Sequence, residues 1–435
     1  MNILMVTNTY APHVGGVARS VAGFATAYRA RGHRVLVVAP VFENADDAED
    51  EVIRVPALQK VNGSDFSVVL PVPGYLDAAV GRFAPDVVHA HHPFLLGGTA
   101  MRLAHGGGIP LVFTHHTMYE RYTHYVPGDC SALKRFVIHL STNYANLCEM
   151  VFAPSESIRD VLQGRGVHVP IRVVPTGVDT ERFGQGDGTA FRHRLGIPQD
   201  AFVVGHVGRL APEKNLAFLA RAVCRFQTGP EEGHTQFLVA GEGPSEAAIR
   251  QVAEDFGVSG RLHRIGVLSP RELADAYHAM DVFAFASESE TQGMVLTEAM
   301  AAGVPVVALD ASGVREVVRD GVNGYLLEHS DEGGFADALN RFEHLNPADR
   351  VAFKDAARGT ADAFSMAHSA TAALSHYRHL ECRPEPERRD TSAAWEKTVR
   401  RIRTEWEMVR GVAAAAEAAL TSREEHGSED HVRPG

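Results

Sequence analysis

Residues 202–210, Phe-Val-Val-Gly-His-Val-Gly-Arg-Leu, read as a strand-length, largely apolar run that enters a glycine-bearing loop, and Lys214-Asn215 opens a helix beyond it. A run that is apolar on both faces marks a strand covered on both sides, as in parallel sheets whose crossovers carry helices. Toward the C-terminus the same rhythm repeats at residues 237–240, 261–265, 282–286 and 304–308, with helical patterns between. Toward the N-terminus a separate series occupies residues 3–6, 35–39, 87–89, 111–114, 151–153 and 172–175, spaced by helical stretches such as 17–31 and 131–147. Between the two series, Gly184, Gly186, Gly188, Gly196 and Pro198 read as a linker.

These patterns predict an α/β protein with two Rossmann-like, doubly wound parallel-sheet domains of similar size facing a cleft. The expected bounds are 1–180 for the first domain, 181–198 for the linker and 199–364 for the second domain. A closing helix follows at 365–380, and then an amphipathic helix and polar tail at 381–435. In such sheets ligands sit at the carboxyl ends of the strands, so the loops after strands should hold the chemistry.

The chain has 435 residues, 45% hydrophobic and 22% charged, enough for two full cores. Its formal net charge of -12 argues against nucleic acid as a partner, which needs a basic face. Cys130, Cys148, Cys224 and Cys382 lack zinc-ribbon or CxxC spacing and read as reduced thiols. The first apolar run breaks at Thr7-Asn8-Thr9, too short for an export signal, and no run of about 18 apolar residues could span a membrane. The expected location is cytoplasmic, with attachment to the inner face of the cell membrane open.

Three features of the second half belong together. Arg209 and Lys214 place two cations at a strand-to-helix loop, a good diphosphate site beside helix N–H groups. Gly241-Glu242-Gly243-Pro244 reads as a structural turn. The run from Ser287 to Pro305 puts Glu290 in a loop and Glu298 in the next helix, with Gly293 allowing close backbone approach to a ligand. Each carboxylate can accept two hydroxyl hydrogen bonds from a sugar or ribose. The plain alternative for this half is a set of capped helices with surface charges.

Glu290 and Glu298 form an E-x7-E pattern that continues through Ala299-Met300-Ala301-Ala302-Gly303-Val304-Pro305. With Gly15-Gly16, Gly208-Arg209 and Lys214-Asn215 in order, the chain resembles the retaining glycosyltransferases of family 4, which have the GT-B fold, over residues 1 to about 380. The resemblance implies that Arg209 and Lys214 bind the donor diphosphate and that Glu298 holds the ribose hydroxyls. It implies that Glu290, with the backbone at Gly293, Met294 and Val295, contacts donor sugar and phosphate. It also implies a nucleotide-sugar substrate, no cofactor and no metal.

In the first half, Gly15-Gly16 at a helix start favours phosphate approach, whereas a dinucleotide fold would want G-x-G-x-x-G there. Histidines gather at two strand ends: His89, His91 and His92, then His115 and His116. They lack Cys or carboxylate companions at ligand spacing, which argues against a metal site. By resemblance, His116 matches the histidine near the donor sugar, with His115 as the competing alignment and His91 as an acceptor-side candidate.

The segment from Thr114 to Pro127, with Tyr119 and Tyr122, and Thr291-Gln292-Gly293 resemble the bacterial diacylglycerol glucosyltransferases, which act on lipid at a membrane surface. Trp395, Val399, Ile402, Trp406 and Val409 form a helical apolar stripe beside arginines. Such a stripe suits a membrane surface, packing on the body, or a coiled-coil partner. The resulting expectation is transfer of a hexose from UDP-glucose to a lipid hydroxyl with retention. The alternatives are a GDP-mannose-dependent mannosyltransferase, a nucleotide-sugar epimerase and a sugar-nucleotide sensor.

Overall fold

The computed structural model describes residues 1–13, 15–42, 51–58, 68–69, 76–123, 130–229, 234–288, 290–381 and 393–421. It divides into two compact units, Met1–Val174 with Ala370–Gly435, and Pro175–Ser369. The first unit holds β1 (Asn2–Val6), β2 (Arg34–Pro40), β3 (Val52–Val55), β4 (Val87–Ala90), β5 (Leu111–Thr114), β6 (Met150–Ala153) and β7 (Ile171–Val173). These pair in parallel in the order β3-β2-β1-β4-β5-β6-β7.

The second unit holds β8 (Phe202–Val207), β9 (Thr235–Ala240), β10 (Leu262–Gly266), β11 (Val282–Phe285), β12 (Val306–Leu309) and β13 (Gly324–Leu327). They too pair in parallel, in the order β10-β9-β8-β11-β12-β13. Every residue of β8, β9, β11 and β12 is buried. One face packs Val203, Phe283 and Val306 against Tyr277, Met280 and Leu296. The other packs Val204, Phe237 and Val307 against Leu219, Val223 and Phe335. Sequence alternation cannot show in strands with two dry faces, which is why these read as continuous apolar runs.

Both sheets reverse their winding beside their first strand, between β1 and β4 and between β8 and β11. That reversal opens a crevice at the strand carboxyl ends, where doubly wound sheets bind ligands.

The unit boundaries differ from the sequence reading. The first cut falls between Val174 and Pro175. Residues 181–198 are not an extended linker. They form the helices Thr180–Phe183 and Gly188–Leu195, and Phe183, Phe191 and Ile197 enter the second unit's core. The glycines there permit close approach instead: a Cβ on Gly188 would meet the His278 carbonyl oxygen at 2.1 Å. The helix Met366–Glu381, expected to close the second domain, joins the first unit from Ala370 onward. Its buried Tyr377 meets the Tyr28 hydroxyl at 3.3 Å and His89 Nδ1 at 2.6 Å.

The terminal helix Ala393–Thr421 packs on the helices Leu96–Gly107 and Ser131–Asn146. Asn143 Nδ2 donates to the Gly411 carbonyl at 3.2 Å, Arg135 Nη2 to that of Ala419 at 3.1 Å, and Thr404 pairs with His105 at 3.2 Å. The opposite side carries Ile402, Trp406, Val409 and Val412, exposed by 63%, 63%, 60% and 47%. The predicted stripe from Ile402 to Val409 is therefore an outward face, while Thr404, Met408, Gly411 and Ala415 hold the helix down. The proline-rich break at 383–387 and the polar tail from 422 lie outside the described residues.

Candidate active site

The loop after β8 is fixed by the loop after β9. Gly208 N–H donates to the Ala240 carbonyl at 3.0 Å, Leu210 N–H to that of Glu242 at 2.8 Å, and Ser245 N–H to that of Leu210 at 2.8 Å. A Cβ on Gly241 would sit 1.9 Å from the Gly208 carbonyl oxygen, so the two loops close only because that position has no side chain. Gly241-Glu242-Gly243 is the buttress of the cation loop, in agreement with its reading as a turn.

On this loop Arg209 is 48% exposed and pairs with Glu213. Lys214 ends the short turn Pro212–Lys214, and its Nζ lies 2.5 Å from Glu290 Oε1. That ion pair spans the switch point, from the loop after β8 to the loop after β11. Both cations expected to meet a diphosphate thus hold carboxylates here. Sequence reasoning missed Glu213, although its place between Arg209 and Lys214 was a usable signal.

The loop after β11 ends at Gly293, whose φ of 71° and ψ of 55° cap the helix Met294–Ala301. Glycine adopts such a left-handed cap without the steric cost that a side chain brings, and Asn215 holds the same conformation before the helix Leu216–Gln227. Glu298 lies in this helix, buried, and accepts a hydrogen bond from Tyr277 at 2.9 Å on Oε2. Gln292 faces away from the loop tip. Its Oε1 accepts from Thr176 N–H and its Nε2 donates to the Thr176 carbonyl, both at 2.6 Å. The residue read as a mark of substrate class is thus a strap onto the segment that begins this unit. Ser289 lies outside the described residues.

In the first unit, Gly15 caps the helix Gly16–Arg29 with extended backbone and no side-chain cap. His116 is half-buried, and its Nε2 lies 2.9 Å from His91 Nδ1. His91 is fully buried, so it supports His116 and presents no surface to an acceptor. His115 is buried with both ring nitrogens unpartnered among the described residues. Between the two aligned histidines, His116 is the one a substrate can reach. Burial pushes His89 and His92 down to about 3 and His115 to about 4, and it holds His91 and His116 well below the usual imidazole range. The cluster is neutral at physiological pH and adds no positive charge.

Tyr119 and Tyr122 flank the single turn Tyr119–Arg121, both partly exposed, with the Tyr119 ring edge-on to Phe94 at 5.0 Å. The remainder of that aromatic segment, 124–129, lies outside the described residues. Among the described residues no group of three or more His, Cys, Asp or Glu is arranged to hold a metal ion.

A family model described as Glycosyltransferase Family 4 matches residues 14–182, and one described as Glycosyl transferases group 1 matches residues 187–360. The alpha-monoglucosyldiacylglycerol synthase of Streptococcus pneumoniae is 30% identical over 361 residues, 80% of this chain and 80% of the relative. The GDP-mannose-dependent alpha-mannosyltransferase of Corynebacterium glutamicum is 30% identical over 345 residues, 76% and 78% of the two chains. Among solved structures, sucrose-phosphate synthase from Thermosynechococcus elongatus aligns with a TM-score of 0.70 at 20% identity, covering 87% of this chain and 99% of that one. Anabaena HepE in complex with UDP aligns at 0.66 and 23%, covering 87% and 100%. With identity at this level spread over four-fifths of its length, the chain belongs to glycosyltransferase family 4 and is a glycosyltransferase of the GT-B type.

Proposed function

We propose that this enzyme transfers glucose from UDP-glucose to the hydroxyl of a diacylglycerol-type lipid, with retention of configuration, at an anionic membrane surface. The observation that carries the donor half is the Lys214–Glu290 pair across the switch point, beside the Gly293-capped helix. A nucleotide sugar offers a partner to each member: the diphosphate to Lys214, sugar hydroxyls to Glu290. Arg209 takes the diphosphate with Lys214, while Glu298, steadied by Tyr277, takes the ribose.

In the reaction the bond between anomeric carbon and phosphate oxygen breaks. The acceptor oxygen bonds that carbon on the same face, and its proton passes to the departing phosphate. Arg209, Lys214 and the N–H groups of Met294 and Val295 stabilise the charge that grows on the leaving group, without a metal. His116, neutral and braced by His91, orients the donor sugar, and Gly15-Gly16 admit phosphate at a helix start.

Two synthases named for monoglucosyldiacylglycerol, at 30% and 29% identity, support the lipid acceptor. The outward stripe Ile402–Trp406–Val409 supports a bilayer contact. Arg403 and Arg410 border one edge of it, and on the other Glu405 is neutralised by Arg102. The second reading, a GDP-mannose donor, rests on mannosyltransferase relatives at the same 30% identity.

A donor panel with and without diacylglycerol vesicles tests these readings. Acceptor-dependent UDP release with UDP-glucose, and an α-linked product by NMR, is the expected result. Release only from GDP-mannose replaces the donor, and isomerised donor without transfer sinks the transferase reading. Flotation with anionic vesicles should be lost in Trp406→Glu. Equal flotation by both proteins removes the stripe from the membrane contact.

A further inference from the structure

His206 lies near the end of β8, fully buried, with its ring stacked beside those of Phe283 and Phe285 at 6.0 and 6.3 Å. Its Nδ1 is 3.1 Å from the Ala284 carbonyl oxygen on the neighbouring β11. A carbonyl can only accept, so Nδ1 carries the proton and Nε2 is left as a bare lone pair. That Nε2 is buried and has no partner among the described residues. A Cβ placed on Gly208, where the cation loop begins, would lie 3.7 Å from it.

Burial lowers the imidazole to about 4, with the Lys214 ammonium depressing it further and the Ala284 bond and Glu290 opposing. His206 is therefore a neutral acceptor within electrostatic reach of both members of the ion pair above it. A core position could have been filled by leucine or phenylalanine. A buried acceptor left unsatisfied costs free energy, so it calls for a partner in another state of the site.

We propose that His206 is a positioning residue for the donor site, its Nε2 accepting an N–H of Lys214 when Glu290 releases that ammonium to hold sugar hydroxyls. This rests on the donor-site reading above. An ammonium has three N–H groups. In the empty site one is committed to Glu290. In the occupied site one meets the diphosphate and another drops onto His206, which fixes the lysine at the height the leaving group needs. The acceptor adds no charge, so the full positive charge of Lys214 remains available to the phosphate.

The test compares His206→Asn with His206→Gln, alone and in a Lys214→Ala background. Asparagine reaches Ala284 but presents nothing at the Nε2 position, whereas glutamine reaches that position. UDP binding by calorimetry and initial rates with UDP-glucose are the readouts. We expect His206→Asn to raise the donor KM about tenfold with its melting temperature held, His206→Gln to stay within about twofold of wild type, and His206→Asn to add nothing once Lys214 is alanine. Unchanged kinetics in His206→Asn overturn the proposal. So does an equal loss in Asn and Gln variants, or a full tenfold loss that persists without Lys214. A wild-type protein that binds neither UDP nor UDP-glucose overturns the donor reading itself, and this inference with it.

Discussion

Replacing Gln292 by leucine is the sharpest test of how the donor loop is held. The side chain is buried and makes two 2.6 Å hydrogen bonds to one peptide, that of Thr176. Leucine fills nearly the same volume but pairs with neither group, leaving a backbone N–H and C=O to lose both bonds at once. A buried backbone group stripped of its partner costs about 1–3 kcal/mol, so the pair should cost about 2–4 kcal/mol after some relaxation. For a unit of this size each kcal/mol moves the midpoint by about 2–4 °C, which gives a fall of about 5–15 °C. Urea and thermal unfolding of the full chain, followed by circular dichroism, read this directly. Gln292→Glu should be damaging too, because it keeps an acceptor for the N–H but sets a carboxylate against the carbonyl. Because Gln292 precedes the Gly293 cap, the leucine variant should also raise the donor KM severalfold. A loss below about 1 kcal/mol would show that the Thr176 peptide is satisfied by other groups, and the strap would lose its meaning.

Arg209→Ala should lower kcat/KM by about 100-fold, about 2.7 kcal/mol, and cost less than that in stability, although Glu213, only 9% exposed, loses this cation; a stability loss as large as the catalytic one would refute its role on the leaving group. Glu298→Ala should weaken UDP binding about 10- to 100-fold in calorimetry, with Tyr277→Phe following in the same direction but less, and unchanged affinity in both would remove the ribose assignment. Acid should unfold the protein early. His89, His92, His115 and His206 titrate at about 3, 3, 4 and 4 when folded, against an ordinary value of 6.5. The unfolded chain therefore takes protons the native state refuses, and stability falls as pH drops below about 6.5 toward 4, by about 2 kcal/mol per histidine at pH 5. Equal melting temperatures at pH 7.5 and 5 would contradict that burial.

Most strands that sequence reading found have two dry faces, where burial imposes an unbroken apolar run, and the edge strands β7 and β10 were found as well although they are only partly buried. Within the two parallel sheets it missed β3 and β13, edge strands with mostly half-buried residues, and Val-Ile-Arg-Val and Gly-Tyr-Leu-Leu give too short a pattern to separate from a loop. Residues 181–198 misled because Gly184, Gly186 and Gly188 serve close packing and Gly196 caps a helix in the left-handed region, none of them giving a free linker. The places of Arg209, Lys214, Glu290 and Gly293 on loops after strands, and of Glu298 in the helix that follows, were legible because such loops are short and chemically distinctive. The contacts of Tyr277, Gln292 and His206 were not, because they depend on partners brought near by the fold: Thr176 for Gln292, 116 residues away, and Ala284 for His206, 78 residues away.

On the proposed donor reading, the pairing of Arg209 with Glu213 and of Lys214 with Glu290 makes this an exchange site rather than a positive trap. Free phosphate or a bare nucleotide could take the cations, but it would strand Glu290 without any donor of hydrogen bonds. A simple sugar could satisfy Glu290 but would leave Lys214 with nothing to balance it. Only a molecule that carries anion and hydroxyls at the right separation replaces both lost contacts at once. On that reading, discrimination against the abundant phosphates of a cell comes from the two ion pairs themselves, before any contact with base or acceptor is made.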